Sequence, residues 1–73
     1  MRTLADAPVG FSVRVSEIRA SDTFVERLQD MGLTRGVPVI CLFAAPRGNP
    51  RAYVVRGGIV AMRNKDAAKI IIK

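Results

Sequence analysis

The sequence predicts a small, mainly β domain: a five-stranded, partly open barrel with one short inserted helix and a helical turn before the last strand. Five short segments have the composition of strands and are joined mostly by links of hairpin length. One further segment spaces its apolar residues as an amphipathic helix does and ends at a glycine. The length of 73 residues allows one domain at most, spanning 1–73. A split α+β sheet is the competing architecture.

The first strand is predicted over residues 11–17, where apolar and polar residues alternate. The alternation places Phe11, Val13 and Val15 on the inward face. Ile18 breaks it, so we expect a bulge or the end of the strand there.

The helix is predicted to begin at Thr23. Thr23 and Glu26 have the spacing of a capping box, in which the hydroxyl accepts a bond from an unpaired helical amide and the carboxylate reaches back. Leu28 and Met31 then share, with the apolar residues before them, the helical face that we expect to meet the core.

Two glycines in the stretch RLQDMGLTRG follow this helix. Gly32 is expected just past the helix cap in left-handed geometry, which lets Leu33 contact Leu28 across the last turn. Gly36 occupies the third position of a four-residue turn, where type II geometry requires a positive φ. The stretch is therefore predicted to be a helix stop and a turn, with a structural role.

The strand predicted over 37–43 is apolar on both faces, which indicates a central position in the sheet. The remaining elements are a loop (44–50), a hairpin with its turn at Gly57-Gly58 (52–55 and 59–62), a single helical turn capped by Asn64, and a last strand (70–72).

The composition favours binding over catalysis. The chain has no histidine and one cysteine, Cys41, within an apolar strand, and no catalytic set of residues is recognisable. The spacing of Asp22, Glu26 and Asp30 could suggest an oxygen site for a hard cation, although a solvated helix face explains it better. We therefore predict no enzyme activity, no catalytic residue, no metal site and no cofactor.

The net charge of +6, from 12 Lys and Arg against 6 Asp and Glu, suits nucleic acid, an anionic membrane surface or an acidic protein partner. Nucleic acid is supported by basic residues near loops: Arg47, Arg51, Arg56, Arg63 and Lys65. It is disfavoured because Tyr53 is the one ring expected to be exposed for base stacking. The longest nearly apolar run, 37–46, is shorter than the roughly 20 residues of a membrane helix, so we expect a cytoplasmic protein without membrane insertion.

The pattern Arg27-Leu28-x-x-Met31-Gly32-Leu33-x-x-Gly36 resembles the signature segment of FeoA, a family of small cytosolic proteins of bacterial ferrous iron uptake. The loop 46–50, the strand 59–63 and the strand 70–72 agree with the resemblance, which covers nearly the whole chain. Met62 stands where the family usually has leucine, and Asn49 stands where an acidic residue is frequent.

The resemblance implies an SH3-like β-barrel that acts with the membrane ferrous-iron permease, whose cytosolic part binds GTP. It also implies a likeness to the C-terminal domain of metal-dependent repressors. The alternatives are a nucleic-acid-binding small barrel, a stand-alone relative of that repressor domain, and a weak metal sensor or a weak homo-oligomer. For the partner-binding surface we predict the 46–51 loop, through Arg47 and Arg51, with Tyr53 beside it; an ordinary solvated loop is the competing interpretation.

Overall fold

The computed structural model describes residues 2–73. Five antiparallel strands form one sheet in the order β4-β3-β2-β1-β5, which confirms the predicted mainly β architecture. Two helices and two short 3-10 turns accompany them. The bounds in chain order are a 3-10 turn (Leu4–Asp6), β1 (Ser12–Ile18), α1 (Asp22–Asp30), β2 (Pro38–Ala44), a second 3-10 turn (Pro46–Gly48), β3 (Arg51–Val55), β4 (Gly58–Met62), α2 (Asn64–Ala67) and β5 (Ile70–Ile72).

The hydrophobic core lies on the inner face of this sheet. It is closed by residues from outside the strands: Leu4 of the first 3-10 turn, Leu28 of α1 and Ala67 of α2 are fully buried. Because so short a chain has little apolar surface to bury, each of these contributions matters to its stability. Within residues 2–73, no helix has the length and apolarity required to cross a membrane.

Strand β1 confirms two of the three inward residues predicted for it. Val13 and Val15 are buried, and the register shifts between Val15 and Glu17, close to the predicted irregularity. The prediction for Phe11 is wrong, since its side chain is 65% exposed. Gly10, with φ +85°, turns the chain directly before Phe11, so the strand alternation begins only at Ser12.

Helix α1 begins earlier than predicted. Ser21 is its N-cap, and the Ser21 hydroxyl accepts a hydrogen bond of 3.3 Å from the backbone N–H of Phe24. Thr23 lies inside the first turn, so its predicted capping box with Glu26 is wrong. Several neighbouring residues can cap a helix, and the one that the chain holds in extended geometry does so.

The end of α1 is a Schellman motif, as predicted. Gly32 has φ +89°; its N–H donates to Gln29 O (2.9 Å), and the N–H of Leu33 donates to Leu28 O (2.8 Å). Leu28 and Leu33 are both buried. Met31, however, was wrongly assigned to the core: it is the C-cap residue beyond the last helical turn, and its side chain is 43% exposed.

Gly36 has the positive φ predicted for it, +87°, and the N–H of Val37 closes the turn on Thr34 O at 3.2 Å. This turn leads into β2, which is the middle strand of the five, as predicted. Only one face of β2 is covered: Val39 and Cys41 are buried, whereas the side chains that point the other way are exposed.

Two turns near the C-terminus differ from the predictions. The β3–β4 hairpin turns at Arg56 and Gly57, with φ +51° and +81°, and Gly58 already pairs with Val55. A two-residue turn of this type needs positive φ at both central positions, which moves it one residue before the predicted Gly57-Gly58. Asn64 is the first residue of α2 instead of its cap, and its backbone N–H donates to the Asn49 side chain at 3.0 Å.

Candidate functional site

Arg51, predicted to bind a partner, makes hydrogen bonds within the molecule. Its guanidinium donates hydrogen bonds to the carbonyl oxygens of Ala5 and Ala7 and lies 3.3 Å from the Cys41 sulfur. Arg51 therefore ties the segment before β1 to the first residue of β3. These bonds give Arg51 a structural role within the molecule, and its role as a partner contact remains a prediction.

Tyr53 is also a structural residue. Its side chain is 0% exposed, and its hydroxyl donates to Leu4 O at 3.0 Å. Burial raises the pKa of Tyr53 to about 12; nearby Arg51 lowers it and Cys41 raises it by smaller amounts. The prediction that this ring contacts a partner is wrong, since the β3 alternation directs it into the core.

Arg47 is the one predicted contact that the structure leaves at the surface. It is exposed in the turn Pro46–Gly48 with φ +70°, and the loop is closed behind it by the Ala45 N–H bonded to Pro50 O at 2.9 Å. Its role in binding remains a prediction.

The sequence interpretation missed an apolar surface on the outside of the sheet. Ile40 pairs with Val54, which pairs with Ile59, so these three side chains form one row across β2, β3 and β4. Ile40 is 37% and Ile59 70% exposed, and we call the three residues the outer apolar row. Leu42 and Phe43 extend this exposed apolar surface along β2, with 40% and 57% exposure.

The signal for this surface was present in the sequence, since β2 is apolar on both faces. That pattern predicts a central position in the sheet and does not say whether the second face is covered. Within residues 2–73 the two helices, of nine and four residues, bury Leu28 and Ala67 in the core, whereas Ile40 and Ile59 on the other face of the sheet stay exposed. Exposed apolar patches of this kind mark interaction sites.

The excess of positive charge belongs to the stretch of sequence that builds these three strands. Residues 31–65, which build β2, β3 and β4, hold six of the 12 Lys and Arg residues and none of the 6 Asp and Glu residues. The rest of the chain is balanced, with six of each sign, so the whole net charge of +6 belongs to this segment. The distribution of the acidic residues would have revealed it; the basic residues alone look evenly spread.

A cleft of about 320 Å³ separates α1 from β4. The exposed side chain of Met31 and the half-buried ones of Phe24 and Val60 line it, with Arg27 and Arg63 among its polar neighbours. A second cleft, of about 490 Å³, lies where β1 ends beside α1, and its Arg19 and Glu17 form an ion pair at 2.6 Å.

The carboxylates considered for a cation site, Asp22, Glu26 and Asp30, are exposed along α1. Among the residues described, 2–73, no three His, Cys, Asp or Glu side chains come together in a group that could hold a metal ion.

Comparison with known proteins identifies the family. The FeoA domain model matches residues 2–73. The chain is similar to the FeoA protein of Chlorobium tepidum, with 30% identity over 97% of this chain and 68% of that one and a TM-score of 0.89. It is also similar to the zinc-complexed FeoA of Stenotrophomonas maltophilia, described as an SH3 domain protein, with 25% identity over 100% of this chain and 91% of that one and a TM-score of 0.86.

A manganese-dependent transcriptional repressor shares the fold alone: the identity is 16% and the TM-score 0.82, over 94% of this chain and 39% of the repressor. No curated protein sequence matches the chain. The match of the FeoA model over residues 2–73, together with the SH3-like five-stranded sheet, shows that the chain belongs to the FeoA family.

Proposed function

We propose that this protein is an accessory factor of bacterial ferrous iron uptake that binds the cytosolic, GTP-binding part of the membrane iron permease. The observation that carries the proposal is the FeoA family match over residues 2–73. The similar protein of S. maltophilia has been suggested to act as an activating factor of bacterial ferrous iron transport. In this proposal the protein works in the cytoplasm, by binding and not by catalysis.

The surface chemistry supports a protein partner with an acidic, partly apolar face. The outer apolar row is exposed apolar surface that a partner can bury, and the charged residues of segment 31–65 are all positive. Complementary charge would steer the encounter and orient the complex, while the apolar contact would supply affinity.

The experiment is a binding titration between the purified protein and the cytosolic part of the permease from the same organism, at low salt. An Arg47→Glu variant tests the exposed turn, and Lys73→Glu is its matched control, because it changes the net charge equally outside segment 31–65. We expect Arg47→Glu to weaken binding about fivefold, as the loss of roughly 1 kcal/mol would do, and Lys73→Glu to change it little.

Equal binding by both variants would remove Arg47 from the interface. No association of the folded wild-type protein with the permease part would reject the proposed function itself.

Nucleic acid is the second candidate. It was disfavoured because Tyr53 was the one ring expected to be exposed. Tyr53 is buried, but Phe11 and Phe43 are exposed at 65% and 57% and could stack on bases. Titration of the protein with single- and double-stranded oligonucleotides distinguishes this candidate from the permease proposal. Salt-steep binding that Phe43→Ala abolishes would favour this candidate; the permease proposal expects weak binding that is indifferent to Phe43.

A further inference from the structure

The two edges of the sheet differ. At β5, the N–H of Ile72 donates to Arg2 O at 3.0 Å and Thr3 bridges to Ile71, so the segment before β1 covers that edge. At the opposite edge, β4 pairs with β3 and with no other strand of the described residues, 2–73. One edge is therefore protected and the other is open.

The open edge presents specific backbone groups. A two-residue hairpin turn closes on a hydrogen-bonded pair, here Val55 and Gly58, and such pairs alternate along an antiparallel ladder. Ile59 and Ala61 therefore direct their N–H and C=O groups away from β3. Within residues 2–73, no hydrogen bond outside the β3–β4 ladder involves these groups.

Strand β4 also lacks the usual protection of an edge. Natural edges carry charged side chains, proline or a bulge that prevent pairing with another chain. The β4 sequence, GIVAM, contains no charge and no proline, and its register with β3 is continuous. Such an edge is a template for an added strand.

The space beside this edge has a defined chemistry. The cleft between α1 and β4 runs along it, with Met31 and Phe24 as its apolar wall and Arg27 and Arg63 as its cations. The one carboxylate in the lining, Asp66, lies 3.9 Å from the Lys69 ammonium. The cleft thus favours a segment that is apolar and carries negative charge.

We propose that β4 accepts an extended, acidic and apolar segment of the protein partner as an additional strand of the sheet. The inference rests on the proposed function and names its mode of binding. Alternate side chains of the added strand would enter the cleft beside Met31, and the others would lie next to Ile59 of the outer apolar row. A second copy fits this edge less well, since each copy has a net charge of +6 and has Arg27 and Arg63 in the cleft beside the edge.

Amide hydrogen exchange of the full chain, followed by NMR, tests the proposal, with the cytosolic part of the iron permease as the probe. In the free protein Ile59 and Ala61 should exchange quickly. On saturation with the probe we expect their exchange to slow at least about tenfold, while Val60, already bonded to β3, changes less.

A matched pair of variants tests the same backbone group. Ala61→Pro removes the outward N–H without cutting a β3–β4 hydrogen bond, and Ala61→Thr keeps it. We expect the proline variant to bind the probe about tenfold more weakly and the threonine variant to bind like the wild type. If the proline variant unfolds, the hydrogen-exchange experiment on the wild-type protein still tests the proposal.

Binding of the probe with unchanged exchange at Ile59 and Ala61 would overturn the inference and leave the proposed function intact. No binding of the probe would reject both. Slowed exchange at these amides in the protein alone at high concentration, with a doubled mass in sedimentation, would assign the edge to a second copy and overturn the proposal.

Discussion

At the scale of single residues, the side chains with the most chemistry hold the fold together. Arg51 and Tyr53 both bond to main-chain carbonyls of the segment before β1. In the sequence each looks like a surface contact, because it lies next to a loop that is rich in proline and glycine. Only the tertiary structure shows that their partners lie more than forty residues earlier in the chain.

Because the hydroxyl of Tyr53 is buried, the stability of the protein varies with pH in the alkaline range. The folded protein keeps the Tyr53 proton up to a pKa of about 12, whereas the unfolded chain releases it near 10, so deprotonation favours unfolding. The full stabilisation is present below pH 10 and is lost as the pH rises through 12. We expect the wild type to lose its stability advantage over Tyr53→Phe across this window.

Urea unfolding of both proteins between pH 9 and pH 12 measures this difference, and lysine titration cancels because it is common to the two. Below pH 10 the phenylalanine variant should be less stable by about 1 kcal/mol, the value of one hydrogen bond. A difference that does not vary with pH would contradict the assignment.

Gly32 and Gly36 are required for their backbone conformation. Replacement by alanine at either position forces a side chain into the left-handed region, which costs about 1–2 kcal/mol. Gly32→Ala should be the more destabilising, because its added Cβ would lie 3.0 Å from the Arg56 side chain, whereas the space at Gly36 is open. Gly58→Ala is the control, since Gly58 has no positive φ and its added Cβ would lie at an ordinary contact distance, 3.6 Å, from Val55 O. Equal midpoints of urea unfolding for all three variants would rule out the conformational explanation.

At the scale of elements, the helix, the five strands and their succession along the chain could be predicted from periodicity, because short-range spacing decides which local structure each segment adopts. Details that involve a choice between neighbouring residues could not. Ser21, Asp22 and Thr23 are all capping residues, and the cap is decided by which one is extended. The hairpin likewise turns at Arg56-Gly57 because the register of β4 with β3 pairs Gly58 with Val55.

The position of the cap can be tested directly. Ser21→Ala should destabilise the protein by about 1 kcal/mol, because the N–H of Phe24 loses its acceptor. Thr23→Ala, at an exposed position inside the first turn, should change the stability by less than about 0.5 kcal/mol. Thermal unfolding measures the stability of the two variants. A larger loss of stability in Thr23→Ala than in Ser21→Ala would place the cap at Thr23.

At the scale of the whole molecule, the candidate interface could not be predicted because burial is a global property. The sequence shows that β2 is apolar on both faces, but whether anything covers the second face depends on every other element. The same limit applied to Arg51 and Tyr53, whose exposure was inferred from neighbours in sequence instead of neighbours in space.

The separation of charge predicts how salt would act on the proposed complex with the permease. In that complex the attraction would come from segment 31–65, and exposed charges are screened beyond about 10 Å at 0.1 M ionic strength. We therefore expect the affinity to fall several-fold between 50 mM and 500 mM salt without being abolished, since the apolar contact persists. Calorimetry at several salt concentrations measures this; an affinity that does not change with salt would exclude a charge-guided interface.

The bonds from Arg51 and Tyr53 to the segment before β1 have a practical consequence. That segment is held at one end against β3 and at the other against the edge of β5. A variant lacking residues 1–7 would lose Leu4 and Ala7 from the core and would expose a second unpaired strand edge. With one open edge such a small sheet can receive a single partner strand, whereas with two it can be extended from both sides, which is how strands stack into aggregates.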